Sequence, residues 1–76
     1  MPDKVTRTQA DYALHQLGYE RVSEEGGLLF YLDNYSVHPL VFDFSQGDIP
    51  WSDFVRTLDY EGINVDAFCA YVEQMG

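Results

Sequence analysis

The side chains able to do chemistry in this chain are few: His15, His38, one cysteine (Cys69), and thirteen acids set against four bases. A histidine works as a base or a ligand only with partners in reach, and neither His15 nor His38 stands in a Cys/His/acid pattern with ligand spacing. Both read as surface or packing histidines. Cys69 falls within the apolar stripe of the last helical segment and reads as a small core residue rather than a nucleophile. Ser36, Ser45 and Ser52 follow no nucleophile-elbow pattern. Gly26-Gly27 is a turn, not a phosphate cradle, because no helix start follows it. Asp43, Asp48 and Asp53 recur five apart, without the alternating oxygen donors and glycine of a calcium loop. With Asp59 they read as a solvated acidic surface. The expectation is a protein that is not an enzyme, with no metal and no cofactor.

The charge balance narrows the partners. A surface that binds phosphates needs clustered Lys and Arg, whereas Lys4, Arg7, Arg21 and Arg56 are scattered through a chain of net charge −9. Direct nucleic-acid binding is not expected. Solubility, adaptation to a salty cytoplasm and mimicry of a polyanion each account for the acidity. A single cysteine excludes an internal disulfide and fits a reducing compartment. MPDKVTRTQADYALHQL carries no apolar signal-peptide core. No window approaches the roughly 18 apolar residues of a membrane span. The expected location is the cytoplasm, with no membrane partner.

The elements that must position these residues follow from spacing. At 76 residues the chain is one domain, 1–76, near the lower limit for a single core. Thr6 and Gln9 form a capping box for a helix over 7–17, closed by Gly18. A strand over 19–23 leads through Glu24-Glu25-Gly26-Gly27 into a second over 28–32. A third covers 37–44, with Pro39 favouring an edge or a bulge. Pro50 opens a helix that runs to about Tyr60 and stops at Gly62, with Trp51 in or near the core. Asn64 caps the last helix. The order α-β-β-β-α-α reads as α+β, a three-stranded antiparallel sheet with helices packed on one face.

In the second strand, alternation separates Leu28, Phe30 and Leu32 from Leu29 and Tyr31. The first set is assigned to the helices, meeting Leu14, Leu17, Phe54, Leu58 and Phe68, with this strand central. Phe30→Ala should then cost roughly 3–5 kcal/mol and Tyr31→Ala far less. The opposite face keeps Leu29, Tyr31 and Val41, too apolar for a solvated sheet face. These three, with Tyr35, are the expected partner-binding residues. The leading reading is a small acidic non-catalytic interaction protein associating through that face, most simply as a homodimer. The alternative is an acidic inhibitor or nucleic-acid mimic occupying the basic groove of a nucleic-acid enzyme, with Asp43, Asp48, Asp53 and Asp59 on its surface.

Three stretches carry a family likeness. HQLGYERV (15–22), EGGLLF (25–30) and DIPWSDFVRTLDYEGI (48–63) resemble the HicA (YcfA-like) toxin family, which has a double-stranded-RNA-binding-like fold. The resemblance implies a helix, three strands and a helix. Members of that family are ribonucleases that use a strand-two histidine on a basic RNA-binding surface. Here the matching position is Leu28 and the chain is acidic. The resemblance thus implies a noncatalytic acidic relative.

Overall fold

Thr6 accepts from the Gln9 backbone N–H at 3.1 Å while the Gln9 side chain accepts from the Thr6 N–H at 3.0 Å. This reciprocal cap starts helix α1, Arg7–Gln16. The helix ends where Gly18 turns to φ 96°. There the Tyr19 N–H reaches back to the Leu14 carbonyl and the Gly18 N–H to that of His15. Gly62, at φ 74°, closes helix α2 (Trp51–Tyr60) in the same way, with Ile63 bonded to Leu58 and Gly62 to Asp59. Asn64 caps α3, Val65–Gln74, through the Ala67 N–H.

A computed structural model describes residues 3–33 and 38–75. Within them the strands are β1 Lys4–Val5, β2 Glu20–Glu25, β3 Leu28–Leu32, β4 Leu40–Asp43 and β5 Ile49–Pro50. The main sheet is antiparallel in the order β2-β3-β4, with β3 in the centre. The fold is α+β, with three helices among the described residues. The hairpin from β2 to β3 turns on Gly26 and Gly27, at φ 58° and 88°, the doubly positive pair of a tight hairpin. Gly27 is needed for a second reason. A Cβ there would lie 2.6 Å from Ser45 Cα, and the Gly27 carbonyl accepts the Phe44 N–H at 2.8 Å.

The two-residue strands β1 and β5 form a separate antiparallel pair, reinforced by the Trp51 N–H donating to the Asp3 carbonyl at 2.9 Å. This ladder fastens the chain's beginning to the start of α2 and buries Val5 completely. Pairs this short have no periodicity, and the sequence pattern contains no sign of them. Pro50, expected inside the first helical turn, is instead the N-cap, with φ −54° and ψ 139°.

The face assignment of β3 is the reverse of the one expected. Leu29 and Tyr31 are the buried pair, at 0% and 1% exposure, and Leu28, Phe30 and Leu32 are half-buried on the other side. Leu29 lies opposite Phe42 and Tyr31 opposite Leu40, and those two β4 residues are buried as well. The cause is physical. Every position of LLFYL is apolar or aromatic, so alternation cannot choose a face. The choice falls to neighbours. Asp11 of α1 accepts the Tyr31 hydroxyl at 2.6 Å, which lets a tyrosine take the inner position.

One cluster forms the core. Leu29, Tyr31, Leu40 and Phe42 from the sheet, with Phe44 just after it, meet Ala10, Ala13 and Leu14 of α1 and the inner residues of α2 and α3. Phe42 stacks on Phe54 with centroids 4.1 Å apart, Phe54 meets Phe68 at 4.9 Å, and Phe68 meets Trp51 at 6.1 Å. This column of rings joins the sheet to both C-terminal helices. Each such pair adds about 0.5–1.5 kcal/mol beyond area burial.

Candidate interaction surface

The register fixes what the open face of the sheet presents. Side chains opposite one another across paired strands share a face. Leu28 lies between Glu25 of β2 and Asp43 of β4, Phe30 between Ser23 and Val41, and Leu32 beside Glu20. The centre of this face is therefore Leu28, Phe30, Leu32 and Val41, the last 39% exposed. Leu28, Phe30 and Leu32 are half-buried without packing against the core cluster. Among the described residues, all three helices contribute their buried side chains to the opposite face. Val22 stands at the irregularity between Arg21 and Ser23 and is 54% exposed.

Of the residues expected to bind a partner, Val41 lies on this open face. Leu29 and Tyr31 do not: the reversed register puts them in the core, and Leu28 and Phe30 take their place. Tyr35 lies outside the described residues, as do Ser36 and the start of the strand expected from Val37. The burial of β4 alternates, Leu40 and Phe42 inward and Val41 and Asp43 outward, and its pairing with β3 carries that facing across the sheet.

Among the described strand residues, the charges of the open face are all acidic: Glu20, Glu25 and Asp43. Asp43 accepts from the Ser45 hydroxyl at 2.5 Å and the Ser45 backbone N–H at 2.8 Å. These bonds hold its carboxyl below the ordinary aspartate value, so it is firmly ionised. Asp43, Asp48 and Asp53 line one cavity of about 360 Å³ with Ile49, Pro50 and Phe54. Asp59 is not part of that lining. Among the described residues no three His, Cys, Asp or Glu side chains converge closely enough to hold a metal ion.

Two of the four bases, Arg7 and Arg21, work on the inner side. Arg7 pairs with Glu24, and Arg21 lies 3.4 Å from both Asp11 and Glu24. These bonds tie β2 to α1, and Asp11 also receives the Tyr31 hydroxyl. Burial, then the bond to Asp11, pushes the Tyr31 phenol far above its ordinary pKa. It therefore stays protonated and is a structural donor, not a base. His15 is exposed and lines a second cavity of about 380 Å³ with Asp11, Tyr19, Arg21 and Tyr31. The Tyr19 phenol there is also raised, chiefly by burial and then by Asp33 and Glu61. No serine, threonine or cysteine is among those lining residues. His38 is exposed, and Cys69 is half-buried against the core with Sγ 3.9 Å from Glu73 Oε1.

Leu28 has no titratable group and belongs to the apolar centre of the open face. Compared with known proteins, the chain matches no family model, no curated protein and no solved structure.

Proposed function

We propose that this chain is a non-catalytic interaction protein whose working surface is the open face of β2-β3-β4. One observation carries the reading: Leu28, Phe30, Leu32 and Val41 form a contiguous apolar centre on a sheet whose helices all lie on the other side. Antiparallel sheets that face water usually alternate apolar-in with polar-out. A continuous apolar patch rimmed by polar groups is the mark of a docking surface. The proposed kinship with the HicA-like pattern fits a scaffold put to another use, since a fold does not fix a function.

The test is capture from the native host with three baits: wild type, Val41→Lys, and Arg56→Ala, which alters the exposed outer side of α2. A partner retained by wild type and Arg56→Ala but lost with Val41→Lys supports the working face. A partner retained by all three sinks it.

A second reading has its own observation. Asp43, Asp48 and Asp53 gather around one cavity, which favours an acidic decoy for the basic groove of a nucleic-acid enzyme. Such binding should weaken steeply between low and high salt. Binding to a basic enzyme that is indifferent to salt and to Asp48→Asn/Asp53→Asn would end that reading.

A further inference from the structure

The open face has a width, a length and a sign of charge, and together these choose an occupant. Strands about 4.8 Å apart place the two outer strands of the sheet about 10 Å from each other, the diameter of one α-helix. The five residues of β3 run about 17 Å, the length of about eleven helical residues or three turns. A single helix laid along β3 would thus cover Leu28, Phe30 and Leu32 and leave β2 and β4 as its two banks. It would also complete a second helical layer on a sheet that has only one.

The banks are acidic. Glu25 and Asp43 flank Leu28 from opposite sides, and Glu20 lies beside Leu32. Arg21, the one base on these strands, pairs inward with Asp11 and Glu24. The apolar centre, roughly 10 by 17 Å, falls well short of the ~800 Å² that each partner brings to a standard stable interface. The rim must therefore contribute. A second copy of this chain would set acids against acids, with −9 on each molecule, and like charges facing one another suppress association. A partner with cations along both edges of an apolar stripe gains from the same rim.

We infer that the open face of β2-β3-β4 receives a cationic amphipathic helix of another protein. Its apolar stripe lies over Leu28, Phe30, Leu32 and Val41, and its Lys or Arg flanks face Glu25 and Asp43. The inference rests on the working face argued above and adds the occupant. Recognition is of the helix-in-groove kind, through anchors at i, i+3, i+4 and i+7.

The test uses a synthetic helical peptide of about 18 residues, long enough to form turns of its own, with Leu and Phe on one face and Lys on both flanks. Two controls accompany it: a scramble of the same composition, and the same peptide with Glu in place of Lys. Binding is read by calorimetry and by amide chemical shifts, and the protein alone is examined by sedimentation. The amphipathic cationic peptide should bind and shift β3 and β4 amides, while neither control does so. Val41→Lys, at an exposed position that leaves the core intact, should abolish binding. Glu25→Gln/Asp43→Asn should weaken it about threefold to tenfold.

Equal binding of the scramble, failure of the cationic peptide to bind, or binding indifferent to Val41→Lys overturns the inference. Self-association abolished by Val41→Lys keeps the working face but overturns the cationic helix as its occupant. A partner captured through Val41 whose docking segment is neutral or acidic does the same.

Discussion

Along β3 two sets of side chains with nearly the same chemistry point in opposite directions. Leu29 and Tyr31 turn inward and lose essentially all contact with water, while Leu28, Phe30 and Leu32 turn outward and stay half-buried. The difference lies in what stands opposite. The inner pair meets Phe54 and Phe68 through the Phe42 ring and finds Asp11 for its one hydroxyl. The outer set lies opposite Glu20, Ser23 and Glu25 of β2 and Val41 and Asp43 of β4. A strand apolar on both sides has one side committed to the core and another that, on the proposed reading, is offered to a partner. Hydrophobicity alone does not distinguish the two.

Truncation of adjacent aromatics breaks the comparison most directly. Tyr31→Ala empties a fully buried ring position and removes a bond to a carboxylate, with an expected loss of about 3–5 kcal/mol. That is a large part of the stability of so small a domain. Phe30→Ala, on the half-buried face, should cost only about 1–1.5 kcal/mol. Urea denaturation of both variants measures the pair. Equal losses would show that the outer face is as tightly packed as the inner one.

Gly27 is where the hairpin from β2 enters β3, and its substitution ranks next. Alanine there meets a positive φ of 88° and places Cβ 2.6 Å from the Ser45 backbone. Backbone rather than a side-chain tip is in the way, so the strand must move. Gly27→Ala should cost roughly 2–3 kcal/mol, while Gly26→Ala, with open space around it, suffers only the conformational strain. Thermal melts of the two should separate. If they coincide, the close approach of Ser45 is relaxed in solution.

These contrasts explain how far the sequence could be read. Local chemistry was legible: the Thr6/Gln9 box, Gly18 and Gly62 at helix ends, the Gly26-Gly27 hairpin and the Asn64 cap all rest on single residues with one conformational use. The α+β architecture and the central position of β3 followed from them. The facing of LLFYL was not legible, because it depends on Asp11, nine residues before the strand's hairpin partner begins, and on Phe42, across the sheet. The β1–β5 pair depends on contact between residues far apart in sequence. The candidate surface inherits the same limit: Val41 was found from an alternating strand, and Leu28 and Phe30 were displaced from it by one register step.

Tyr31→Phe sharpens the inner side of the comparison. It keeps the ring and removes only the hydroxyl that donates to Asp11; a bond to a charged acceptor is worth about 1.5–3 kcal/mol, and Arg21 still pairs with Asp11, so the low end is expected. The phenol is raised in the fold, so its contribution is complete below the ordinary tyrosine value near 10 and declines as pH rises above it. Wild type should lose stability between pH 9.5 and about 11 more steeply than Tyr31→Phe. Parallel alkaline limbs would mean that the buried hydroxyl is not coupled to folding.

The smallest effect belongs to the outer rim. Asp43 is depressed by its two bonds from Ser45. A carboxyl depressed in the fold contributes stability that is complete above its unfolded value near 3.9 and is lost as pH falls through the lower folded value. Asp43→Asn should therefore leave stability at pH 7 nearly unchanged and flatten the acid limb below pH 4 slightly. The side chain is exposed, and water and salt screen it, so the change in slope is small and should fade in concentrated salt. Acid titrations of wild type and Asp43→Asn at low and high ionic strength give the comparison. An Asp43→Asn loss at pH 7 as large as that of Tyr31→Phe would mean that Asp43 serves the fold. The rim would then be structural, and its acids could not be neutralised independently as the docking test on the open face requires.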